Sequence, residues 1–285
     1  MPDDRNAYAR KAIKQRIFEF KRRLAALCAA SLDPEDVHQA RVASRRLRTA
    51  LWVFSGLFSE TRRRFWKDRI SRLAKSLGAA RDLDTRIGFV QEIFWAKDIV
   101  DRLKKQRLNM QPGLRVAAGR FLKTGALEDI EKALAGSGQW LERRAVRKIG
   151  RRLQDFIKRG QGWKGRPACR SGRPACRSGR DWPRLHRLRI AVKRLRYTLE
   201  ISAPLYGRRL ARYINEAVVL QRNLGRLHEF DVWSRDFFRE SSGADIEKKL
   251  GRLCEDLREK EYKKFLKLRE KQGKQKIWES LKRLV

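Results

Sequence analysis

The side chains best placed for chemistry are three histidines, set in matching blocks with arginines at fixed distances. Residues 38–51 read HQARVASRRLRTAL and residues 186–199 read HRLRIAVKRLRYTL. His38, Arg41, Arg46 and Arg48 align with His186, Arg189, Arg194 and Arg196, while Lys193 replaces Arg45 and Ile190 replaces Val42. On a helix, His38, Arg41, Arg45 and Arg48 fall within an arc of about 80° and along roughly 15 Å of one face. His186, Arg189, Lys193 and Arg196 form the same stripe. Like charges at this spacing cost a helix a few tenths of a kcal/mol per pair, a penalty that a bound anion removes. Arginine suits that task, because its planar fork grips phosphate oxygens in pairs and keeps its charge at any physiological pH.

A second pair of blocks follows. Leu77-Gly78-Ala79-Ala80-Arg81-Asp82-Leu83-Asp84 corresponds to Leu224-Gly225-Arg226-Leu227-His228-Glu229-Phe230-Asp231. The offset is 148 residues from His38 to His186 and 147 from Arg81 to His228, as expected of a duplicated unit. The third histidine, His228, thus stands where the first half has Arg81, which keeps a donor for an anion and weakens the fixed charge. Two roles stay open for the histidines: contact with phosphate, or packing against a neighbouring carboxylate or carbonyl. Lys75 and Arg72 in the first half, and Arg222 in the second, extend the basic surface. Asp82, Asp84, Glu229 and Asp231 have the spacing to hold a divalent ion or act as acid and base. The reading favoured here is structural: carboxylates after a Leu-Gly turn that cap the next helix and orient arginines.

The elements that must carry these blocks are helices. Apolar residues recur every three or four positions, no convincing strand is found, and the chain is read as all-α. Helices are expected over 5–30, 34–57, 60–78, 82–110, 114–136, 139–159, 183–203, 207–226, 228–240 and 244–283. Asp33 before Pro34, and Asp181 before Pro183, have the form of helix starts. Ala43, Leu47, Ala50, Leu51 and Phe54, and in the second copy Leu188, Ala191, Leu195 and Leu199, supply the buried faces opposite the basic stripes. The expected halves are 1–138 and 139–285, with a basic linker at 162–181 inside the second. That linker contains Gly-Arg-Pro-Ala-Cys-Arg-Ser twice, at 165–171 and 172–178. Cys169 and Cys176 have no nearby histidine or further cysteine to complete a zinc site, and Cys28 and Cys254 read as small core residues.

Lysine and arginine number 71 against 33 acidic residues, so the net charge of +38 demands an anionic partner. Hydrophobic residues at 41% are too many for a disordered basic tail. No apolar window approaches the roughly 18 residues of a spanning helix, and a charged start without an apolar stretch gives the expectation of a cytoplasmic protein.

The His-x-x-Arg-x-x-x-Arg/Lys-Arg-x-Arg block, followed by Leu-Gly-x-x-Arg-Asp-x-Asp, resembles the CHAD family, the conserved-histidine α-helical domain. The resemblance spans residues 5–285. It implies two four-helix bundles related by a pseudo-twofold axis, forming one compact domain whose basic central groove binds inorganic polyphosphate. By that likeness His38, Arg41, Arg45, Arg46, Arg48 and Arg81, with His186, Arg189, Lys193, Arg194 and Arg196, occupy the polyphosphate-binding positions. Lys75, Arg222 and His228 join them as candidates. A standalone binding module is expected, with no enzymatic activity, no cofactor and no metal, in association with polyphosphate granules.

Nucleic acid is the nearest alternative partner, since a charge of this size attracts RNA or DNA without regard to sequence. However, Trp52, Phe54 and Phe58 lie on apolar faces, and no aromatic RNA-recognition signature is found. An enzyme acting on phosphate compounds lacks a Walker-type loop or His-Glu-x-x-His here. A histidine-based metal chelator is disfavoured by the arginines around each histidine, which repel a cation.

Overall fold

The computed structural model describes residues 2–29, 33–137, 142–160, 182–240 and 245–285. These divide into two compact units, 1–145 and 146–285. Among the described residues the regular structure is helical, with no strand. The duplicated heptapeptide with Cys169 and Cys176, and the capping residue Asp181, lie outside the described residues.

Unit 1 holds α1 (Pro2–Cys28), α2 (Pro34–Val53), α3 (Glu60–Gln91), α4 (Lys97–Asn109), α5 (Gln111–Lys123) and α6 (Ala126–Ala135). Its core follows from helical periodicity. Ile13, Ile17, Phe20, Leu24 and Leu27 of α1, Leu47, Ala50, Leu51 and Phe54 of the α2 segment, and Trp66 and Ile70 of α3 are all buried, with α1 packed on α2 and α5 and α2 packed in turn on α3. Burial of a side chain such as Leu47 contributes about 1.5–3 kcal/mol. The start of α2 is as expected: Asp33 accepts from the Glu35 amide at 2.8 Å, and Pro34 occupies the first turn, where no amide donor is needed. Polar ties fasten the remaining elements. Arg10 donates to the carbonyls of Leu134 (3.2 Å) and Ser137 (2.6 Å) at the end of α6, and the Trp66 indole donates to Asp129 at 2.7 Å.

Unit 2 holds α7 (Glu142–Gly160), α8 (Trp182–Tyr206), α9 (Ala211–Glu240), α10 (Asp245–Lys274) and α11 (Ile277–Leu284). One cluster joins Leu153 and Phe156 of α7, Leu188, Leu195 and Leu199 of α8, Leu220 and Leu224 of α9, Phe265 of α10 and Trp278 of α11.

Several expected boundaries are corrected. The Leu77-Gly78 and Leu224-Gly225 pairs are not turns; α3 and α9 run unbroken through them. A helix-interior glycine costs only about 1 kcal/mol relative to alanine, and the apolar spacing on either side outweighs that. The carboxylates beyond them therefore cap nothing and work in mid-helix. Conversely, the expected 82–110 segment breaks between α3 and α4, 114–136 breaks at Gly125, and 244–283 breaks before α11. Gly125 takes a left-handed φ of 64°, a conformation that side chains with a Cβ resist. Cys28 is exposed rather than core, because Leu27 takes the last buried position of α1 and the next residue rotates outward; Cys254 is buried. None of the described helices is long and apolar enough to cross a membrane.

Candidate functional site

Each stripe is carried by one unbroken helix, α2 in unit 1 and α8 in unit 2, and its cations are half-buried rather than free in solvent. In unit 1 the neighbour is α3. The Arg41 guanidinium lies on the α3 backbone, donating through Nη1 to the Gly78 carbonyl at 2.8 Å and to Asp82 Oδ1 at 3.3 Å. Asp82 is 79% exposed whereas Arg41 is 23% exposed, so the carboxylate orients the guanidinium from the solvent side. Arg48 reaches α3 one step further along, donating to Ser71 Oγ at 3.0 Å. Lys75 is exposed on α3 and, seven residues before Asp82, shares its face.

Like charges crowd here. Burial lowers the pKa of Arg41, opposed by Asp82 and reinforced by Arg45 and Arg81. Burial likewise lowers that of His38, with Arg81, Arg45 and Arg41 pushing the same way and Glu35 opposing them. The structure therefore brings His38, Arg41, Arg45 and Arg81 into one cationic cluster that disfavours protonation of His38.

Unit 2 repeats the plan. His186 of α8 faces His228 of α9, with the two Nδ1 atoms 3.5 Å apart and the ring centroids 4.8 Å apart. Burial lowers the pKa of both, and Arg189 and Lys193 add to it; His228 is pushed down to about 3, with Arg235 contributing. The cluster is thus His186, Arg189, Lys193 and His228. Arg196 turns along its own helix to Glu200 at 2.6 Å. Arg222 is exposed on α9, seven residues before Glu229.

Arg46 and Arg194 point elsewhere. Arg46 donates to Glu19 of α1 at 3.1 Å, and Arg194 acts electrostatically on Arg152 of α7, whose pKa falls to about 10 chiefly through burial.

The arginine partners of two buried aspartates were missed by the sequence reading. Asp84 accepts from Arg107 of α4 at 2.7 Å, and Asp231 accepts from Arg235 at 2.7 Å and Arg258 of α10 at 3.3 Å. Arg258 also lies 4.8 Å from the Trp182 ring centroid at the start of α8. The repeated aspartates thus tie the site helix to the next one. Only Arg235, one helical turn after Asp231, carried a sequence signal.

Comparison with known proteins agrees with this plan. A family model described as CHAD domain matches residues 11–237. The crystal structure of the CHAD domain from the plant Ricinus communis is similar at 20% identity, covering 87% of this chain and 84% of that one with a TM-score of 0.62. PptA from Streptomyces chartreusis is similar at 14% identity, covering 92% and 98% with a TM-score of 0.62. No curated protein sequence matches the chain. At these identities the two structures speak for the fold, while the family match covers most of the sequence and both of its histidine blocks: the chain belongs to the CHAD domain family.

Proposed function

We propose that this chain binds inorganic polyphosphate, without turning it over, through the α2–α3 cluster of unit 1 and the α8–α9 cluster of unit 2. The observation that carries this is the duplicated gathering of half-buried cations around a histidine whose protonation they disfavour, with Asp82 the carboxylate bonded to Arg41. Such clusters are electrostatically unfavourable alone, and an anion relieves them. A row of cations about 15 Å long fits a linear polymer with charge on every unit better than a single phosphate. His38, Arg41, Arg45, Arg48, Lys75 and Arg81, with His186, Arg189, Lys193, Arg196, Arg222 and His228, form the binding faces; Arg46 and Arg194 support them from the adjoining helix faces. Binding without hydrolysis fits the engagement of the repeated carboxylates Asp84 and Asp231 in ion pairs with arginine. Association with polyphosphate granules would follow from such binding.

The test is a titration with long-chain polyphosphate and with RNA at matched charge, at two salt concentrations. The comparison protein carries Arg41→Ala, Arg45→Ala, Arg189→Ala and Lys193→Ala, and a second control carries Arg46→Ala. The expected result is a preference for polyphosphate that survives the higher salt, weakens at least tenfold in the fourfold variant and changes little in the control, with no phosphate released. Equal binding of both polymers, or an unaffected fourfold variant, would replace this reading with nonspecific nucleic-acid binding.

A further inference from the structure

Away from the α8–α9 cluster, unit 2 contains a cavity of about 170 Å³ between α7, the end of α10 and α11. Its walls include Phe156 of α7 and Trp278 of α11, whose rings meet edge to face at 4.8 Å. Arg269 of α10 also lines it. Its guanidinium makes one long contact, from Nη2 to the Gly160 carbonyl at 3.4 Å, and sits 5.5 Å from the Phe156 ring centroid. Nε and Nη1 are buried without a hydrogen-bond partner. Burial lowers the pKa of Arg269 and no carboxylate offsets it. A partly buried guanidinium with no charged partner is costly, and an oxyanion beside it lowers that cost.

The rest of the cavity is organised around this group. Gln272 is fully engaged, donating to Glu216 at 2.9 Å and accepting from the Trp278 indole at 3.2 Å, so it fixes the aromatic wall and leaves the guanidinium donors to an occupant. Lys276, at the rim, holds a left-handed φ of 47°, an uncommon conformation for a residue with a Cβ, at the junction of α10 and α11. Glu279 also lines the cavity and is exposed, which leaves Arg269 and Lys276 against one carboxylate.

We propose that this cavity binds a small organic anion, with a carboxylate or phosphate against the Arg269 guanidinium and a flat apolar body against Phe156 and Trp278. The volume admits a small molecule rather than a polymer, and the site uses none of the residues assigned to polyphosphate. It therefore stands or falls independently of the proposed function.

The experiment titrates the full chain with phenyl phosphate, benzoate, inorganic phosphate and uncharged benzyl alcohol, following the Trp278 indole N–H resonance, assigned with Trp278→Phe, and the thermal midpoint. Phenyl phosphate or benzoate is expected to shift that resonance saturably and raise the midpoint, with inorganic phosphate at least tenfold weaker and benzyl alcohol silent. The arm that binds more tightly identifies the oxyanion. Arg269→Met is expected to fold, with an unchanged or higher midpoint because an uncompensated buried charge is gone, and to lose the response. The fourfold stripe variant is expected to keep it. A resonance that does not shift in the unmutated protein, a response that survives Arg269→Met, or one that disappears in the stripe variant would overturn the proposal.

Discussion

In unit 1 the stripe histidine, His38, lies within the field of Arg81; in unit 2 the equivalent His186 faces a second histidine, His228. The repeated aspartates differ in the same spirit. Asp84 and Arg107 form a pair whose side chains are 2% and 7% exposed, whereas Asp231 shares itself between Arg258 and Arg235, the latter 67% exposed. Unit 1 thus sets one histidine among arginines over a dry ion pair, and unit 2 two facing histidines over a wetter, shared one. Within the matching blocks, the exchange of Arg81 for His228 accompanies the first of these differences.

The largest effect should come from breaking the aspartates. Asp84→Ala leaves Arg107 buried with no partner, and the expected loss is about 3–5 kcal/mol. Asp231→Ala costs less, about 1–3 kcal/mol, because Arg258 retains Glu255 at 3.4 Å and the Trp182 ring, and Arg235 turns to water. Urea unfolding of the two variants measures this, and equal losses would erase the distinction between the units. Both should leave the charge of the stripes intact, so weakened binding in the folded variants would report misplacement of α3 or α9.

A second comparison concerns protons. His228 has a folded pKa of about 3, below the unperturbed value of about 6.5, so the unfolded chain binds the proton more readily. The stabilisation is present above about pH 6.5 and is lost as pH falls from there toward 3. A bound polyanion raises that pKa by screening Arg189, Lys193 and Arg235, which means that binding takes up protons and tightens as pH falls toward the pKa of the complex. His228→Arg recreates the unit 1 arrangement. It is expected to tighten polyphosphate binding several-fold at pH 8 and to flatten the pH dependence of affinity between pH 8 and 5.5. Calorimetry in two buffers of different ionisation enthalpy counts the protons; an unchanged proton uptake in His228→Arg would assign the effect to His38 or His186 instead.

How much of this was legible in the sequence differs by the kind of interaction. The stripes, their buried reverse faces and the Asp33 cap follow from local periodicity and were read correctly at Ala43, Leu47, Leu188 and Leu195. The mates of Asp84 and Asp231 were not, because Arg107 and Arg258 lie on separate helices, 23 and 27 residues away, at distances that obey no period. The Leu-Gly pairs misled for a related reason. Glycine signals a break when read alone, and what Gly78 provides is visible only with α2 in place: an accessible backbone on which the Arg41 guanidinium rests.

That role gives the smallest and most local test of the comparison between units. A Cβ built at Gly78 would stand 3.7–3.9 Å from the Arg41 guanidinium, ordinary contact that nonetheless closes the space around it, whereas one at Gly225 meets nothing within 4 Å. Gly225→Ala is therefore expected to gain most of the helix propensity difference, about 0.5–1 kcal/mol, with binding unchanged. Gly78→Ala should gain less, and any change in polyphosphate affinity should appear there, through the guanidinium it touches. Thermal unfolding and the polyphosphate titration read both effects. A larger stability gain at Gly78 than at Gly225 would mean that Arg41 does not depend on the open backbone of α3, and that its bond to Asp82 alone holds it in the cluster.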